Sequence, residues 1–69
     1  MRYEIYAIAD AECSTIHPDV IEATDDLATA RRRAADISGR HCYGTAILDT
    51  MTRRIDFGRG FGVPIPDLF

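Results

Sequence analysis

Arg2 to Ala9 (RYEIYAIA) is rich in tyrosine and isoleucine and holds no breaker, which predicts a β-strand. Alternation sets Tyr3, Ile5 and Ala7 on one face and Glu4, Tyr6 and Ile8 on the other. Both faces therefore carry apolar groups. If the first covers the core, the second is either covered by the C-terminal tail or open to a partner. Asp10 to Asp19 (DAECSTIHPD) has turn chemistry throughout, and Pro18 stops any helix there. Long loops of this kind are more often functional than short ones. A short second strand, Val20 to Ala23, follows and is expected to pair antiparallel with the first.

The period then changes from two to 3.6. Leu27, Ala30, Ala34 and Ile37 form one narrow apolar stripe, the mark of a helix packed by one side. Thr24 or Asp25 is placed to cap it, and Asp25 and Asp26 put negative charge where the helix dipole favours it. Gly39 is placed to end it in a left-handed conformation. A helix of about 14 residues spans roughly 21 Å, enough to cross a four-stranded sheet. Cys42 to Asp49 and Arg54 to Gly58 read as two further strands joined by a turn at Thr50 to Arg53. Ala46 and Leu48 share one face of the former, with Tyr43, Thr45 and Ile47 on the other. The tail from Arg59 to Phe69 contains Pro64 and Pro66 and is no central strand. Its Phe61, Val63, Ile65, Leu68 and Phe69 are too apolar to hang free, so it should pack over a sheet face or edge or dock on another chain. The expected fold is a single α+β domain over residues 1–69, order ββαββ. One helix lies across an antiparallel sheet of about four strands.

Length and composition narrow the function. At 69 residues, 46% hydrophobic and 28% charged, the chain is an ordinary small globular domain with little room for both a core and a pocket, so enzyme activity is not expected. No apolar run is long enough to span a bilayer, and the N-terminus lacks the apolar stretch of a signal peptide. The expected location is the cytoplasm. A net charge of -3 is the opposite of what phosphate-neutralising proteins usually carry. All the basic residues are arginine, which fits either the codon bias of a GC-rich genome or selection for bidentate contacts.

Cys13 and Cys42 are too few for a disulfide framework, and two free thiols are favoured over a single bridge. With His17 and His41 they could suggest zinc, but His41 and Cys42 are adjacent, and adjacent strand residues point to opposite faces. Cys13 and His17 lack a third group to orient a catalytic base. Gly58-x-Gly60-x-Gly62 has the glycine spacing of a phosphate loop, yet prolines follow where a helix should open. No metal or cofactor is expected.

Charged residues are the remaining candidates, all for partner binding. The acids Asp10, Glu12, Asp19, Glu22, Asp25 and Asp26 gather before and at the helix start, where they could meet a basic surface on another protein. Arg31, Arg32 and Arg33 splay around the helix: Arg31 and Arg33 flank the stripe, and Arg32 points away from it. Asp36 is spaced to pair with Arg32 or Arg33, and Arg40 with Asp36. Arg53, Arg54 and Arg59 cluster at the hairpin and its exit. Direct nucleic-acid binding through these arginines is the alternative, and a homodimer fits the apolar tail and two-faced first strand.

Ile21-Glu22-Ala23, then Leu27-x-x-Ala30-Arg31-Arg32-x-Ala34, then Cys42-Tyr43-Gly44-Thr45 opening a strand form an arrangement that resembles some small phage-encoded type I anti-CRISPR proteins. The resemblance covers roughly residues 20 to 50, and the chain departs from those proteins in having no lysine. It implies a compact sheet-plus-helix domain without enzymatic activity, working in the host bacterial cytoplasm. Such a protein binds a crRNA-guided surveillance complex and blocks its target DNA. The stretch from Pro18 through Thr24-Asp25-Asp26-Leu27-Ala28 is also similar to HicB-type antitoxins, without their glycine-rich hairpin before the proline.

Overall fold

The computed structural model describes residues 1–12, 15–58 and 60–64. Strands β1 (Tyr3–Ala7), β2 (Glu22–Thr24), β3 (Thr45–Asp49) and β4 (Arg54–Asp56) form an antiparallel sheet in the order β2-β1-β3-β4, with helix α1 (Leu27–Ser38) packed against it. This is the expected α+β fold. A two-residue strand, β5 (Val63–Pro64), continues the sheet beyond β4. Proline at that outermost position is where a missing N–H costs least.

The helix lies on the face of Tyr3, Ile5 and Ile47, and its stripe residues Ala30, Ala34 and Ile37 are buried there. Two alanines let the backbone approach closely enough for Thr45 Oγ1 to donate to the Ala34 carbonyl at 2.9 Å. Phe61, from the chain leading into β5, packs into the same layer with its ring centroid 6.2 Å from that of Tyr3. The opposite face is also buried. Tyr6, Ile8, Ala46, Leu48 and Ile55 form a second cluster there, with Ile16 and Phe57 against it. That face is therefore not open to a partner, and Ile16 had no periodic signal to mark it as core. Ile16 reaches it because the loop after β1 runs back along the strand: His17 N donates to Ala7 O and Ala9 N to Thr15 O. Residues 65–69 of the apolar tail lie outside the described residues.

Several boundaries differ from expectation, each for a local reason. Ile21 N donates to Ile5 O at 2.8 Å although Ile5 is in register with Glu22. Ile21 and Glu22 thus both oppose Ile5 in a bulge, and the ladder starts at Glu22 rather than Val20. The helix is capped by Asp26, not Thr24 or Asp25: its Oδ2 accepts from Thr29 N at 2.9 Å and Thr29 Oγ1 at 2.6 Å. Gly39 has φ -65°, so no left-handed cap forms; the chain instead tightens into turns, with Arg40 N donating to Ile37 O and His41 N to Ser38 O. The positive φ falls at Gly44 (86°), which turns the chain into β3. Cys42 and Tyr43 therefore lie in a turn and not in the strand. β4 ends at Asp56, whose Oδ1 accepts from Gly58 N at 2.6 Å and Gly60 N at 3.0 Å and curls the chain off the sheet.

Candidate functional site

Topology brings four of the predicted binding residues to one end of the sheet. The start of β1, the end of β2, the start of α1 and the turn from β3 to β4 all meet there. This end carries Asp25, Asp26, Arg53 and Arg54, residues from separate parts of the chain. Arg2 joins the segment before the helix to the end of β3 and its turn. Its backbone N donates to Asp25 Oδ1 at 2.8 Å, and its carbonyl accepts from Thr50 N at 2.8 Å and Thr50 Oγ1 at 2.7 Å. Its guanidinium makes a two-point contact with Asp49, Nε to Oδ1 at 3.0 Å and Nη2 to Oδ2 at 2.9 Å, while lying over the Tyr3 ring.

Asp49 is the anchor of the turn. It is buried, and its Oδ1 also accepts from Met51 N at 3.0 Å, while its carbonyl accepts from Arg53 N at 2.9 Å. The hydrogen bonds from Arg2, helped by those from the turn amides, hold its carboxyl down at about 2 despite burial. Arg53 takes a left-handed conformation, φ 61°, to close the turn. The turn is thereby tied to the buried Asp49 while Met51 stays 72% exposed, Met1 76% exposed, and Arg53 and Arg54 solvent-facing. Arg54 Nη1 donates to Gly62 O at 3.1 Å. Asp26 is held below the usual carboxylate range by its hydrogen bonds from Thr29, with Arg32 adding a smaller favourable field.

The other predicted residues sit elsewhere. Asp10 and Glu12 follow the far end of β1, roughly 16 Å along a strand of that length, and Asp10 Oδ1 accepts from Thr15 N. Asp19 is exposed in the loop before β2. Glu22 is engaged within the fold, receiving Arg33 Nε at 2.9 Å and Nη2 at 2.7 Å, an inter-element pair that sequence spacing could not reveal. Arg33 also lies 3.7 Å from Asp36, the expected intrahelical partner. Arg32 is exposed on the helix, and Arg59 lies outside the described residues.

The chemistry weighed from motifs also finds its place. The amides of Gly58 and Gly60 point at the Asp56 carboxylate, so the glycine spacing serves an internal anion instead of a phosphate. Cys42 is an exposed free thiol, His17 is exposed, and Cys13 lies outside the described residues. Among the described residues no group of three potential ligands could hold a metal ion. On the second sheet face, burial and a hydrogen bond to Glu4 push the Tyr6 hydroxyl up to about 12. No described helix is long and apolar enough to cross a membrane.

Fold and site together define a small α+β domain with a charged, methionine-bearing sheet end. Comparison with protein-family models, curated proteins and solved structures finds no match.

Proposed function

We propose that this protein is a non-enzymatic protein-binding inhibitor whose partner is a type I crRNA-guided surveillance complex, and that it blocks the complex's access to target DNA. The observation behind the binding reading is the hydrogen-bonded sheet end where Met1 and Met51, 76% and 72% exposed, sit among opposite charges. Methionine and arginine are enriched at protein interfaces, and an unbranched thioether adapts to an uneven surface. The partner class rests on the resemblance over residues 20 to 50. Asp25 and Asp26 suit DNA-binding lysines of such a complex, and Arg53 and Arg54 suit acidic side chains beside them.

The test is retention of a defined type I complex by the immobilised protein, after nuclease treatment and in low and high salt. Retention that survives nuclease and falls when Asp25 and Arg53 are each charge-reversed supports the proposal. Retention of nucleic acid alone, weakening steeply with salt on any DNA, would move the function to the arginine surface. No retention of either would overturn the partner assignment.

A further inference from the structure

The sheet has an open edge at β2, beyond which no described strand pairs. Along β1, Ile8 N donates toward β3, to Gly44 O, whereas Ile5 O and Ala7 O accept from the other side, from Ile21 N and His17 N. Alternation then turns Glu22 and Thr24, in register with Ile5 and Tyr3, inward to β1, and aims the Ala23 N–H and C=O outward. Ala23 is exposed, its side chain is the smallest that keeps a Cβ, and Val20 and Ile21 just before it are 44% and 37% exposed. Beside the strand, an open groove of about 340 Å³ runs between β2 and α1, lined in part by Ile5, Thr24 and Thr29.

Charged side chains stand at both ends of this edge. Arg33 is taken up by Glu22 and Asp36, while Arg40, exposed, follows the end of α1 on the side where β2 starts. Asp25 and Asp26 stand at the opposite end, at the start of the helix. A twofold axis through Ala23 would turn Arg40 of one copy toward Asp25 and Asp26 of another. It would also run the two helices antiparallel, with opposite dipole ends adjacent.

We infer that a second copy of this chain occupies the β2 edge. The two β2 strands pair antiparallel, the Ala23 residues exchange their N–H···O=C bonds, and Arg40 of each copy faces Asp25 and Asp26 of the other. This inference does not rest on the inhibitor reading, and its test needs no partner.

Analytical sedimentation from micromolar to millimolar chain, with hydrogen exchange of the Ala23 amide, reads it directly. A concentration-dependent dimer is expected, with Ala23 protected only where the dimer is populated. Ala23→Pro should abolish the dimer by removing the outward donor. Arg40→Glu should weaken it roughly fivefold in dissociation constant, the exposed ion pair being lost twice in a twofold interface. Helical circular dichroism confirms that each variant is folded, and Arg40→Glu, a surface change, stands should Ala23→Pro fail to fold. A monomer at every concentration, or a dimer unchanged in folded Ala23→Pro or in Arg40→Glu, would overturn the inference and leave the edge to a strand of another protein.

Discussion

At the scale of single residues, Asp49 shows how one buried carboxylate can organise a surface. It accepts from Arg2 at two points and from the Met51 amide, so it joins the N-terminus to the β3–β4 turn. Asp49→Asn keeps the shape but removes the charge that faces the guanidinium, and should cost about 1–3 kcal/mol in chemical denaturation. The pH dependence has a definite sign. The folded carboxyl titrates at about 2, below its value in the unfolded chain, so its contribution is complete above about 4 and is lost as pH falls toward 2. Glu22 and Asp26 are shifted in the same direction by Arg33 and Thr29. Stability should therefore fall between about pH 4 and 2, and Asn at position 49 should flatten that limb of the curve.

At the scale of elements, the helix shows where sequence pattern and structure agree and where they part. Its apolar stripe is read straight from spacing, because residues three and four apart share a face whatever lies opposite. Its ends depend on competition. Thr24, Asp25 and Asp26 all have capping side chains; Asp25 is held by the Arg2 amide and Thr24 accepts from Asp26 N, which leaves Asp26 to meet Thr29. At the other end, the left-handed residue is delayed to Gly44 because the chain must pass from the end of α1 to the start of β3 before reversing. A Cβ at Gly44 would lie 3.0 Å from Ser38 Oγ with φ at 86°. Gly44→Ala should accordingly destabilise by about 1–2 kcal/mol, measured by urea titration, with the helix content of the folded state unchanged.

At the scale of the whole molecule, the sheet is buried on both faces, a demanding arrangement for so short a chain. Ile5 anchors the helix-side layer and Ile55 the other, and both are fully buried. Ile55→Ala should cost about 2–5 kcal/mol. For a domain of this size that is enough to leave a large unfolded fraction at 37 °C, visible as a low midpoint in thermal melts. The sequence alone determined the order of the first four strands and the helix, the helix stripe, the alternating faces of β1 and β3, and that the proline-bearing tail is no central strand. These follow from period, breakers and steric rules that act within a few residues. Only the tertiary structure decided that Ile16 belongs to the core, that Glu22 is bound to Arg33, and that Asp25 and Asp26 share an end with Arg53 and Arg54 while Asp10 and Glu12 do not. Those outcomes depend on strand register and on which residues the sheet brings side by side. Contacts across 11 positions, as between Glu22 and Arg33, or 47, as between Arg2 and Asp49, leave no periodic trace in a chain.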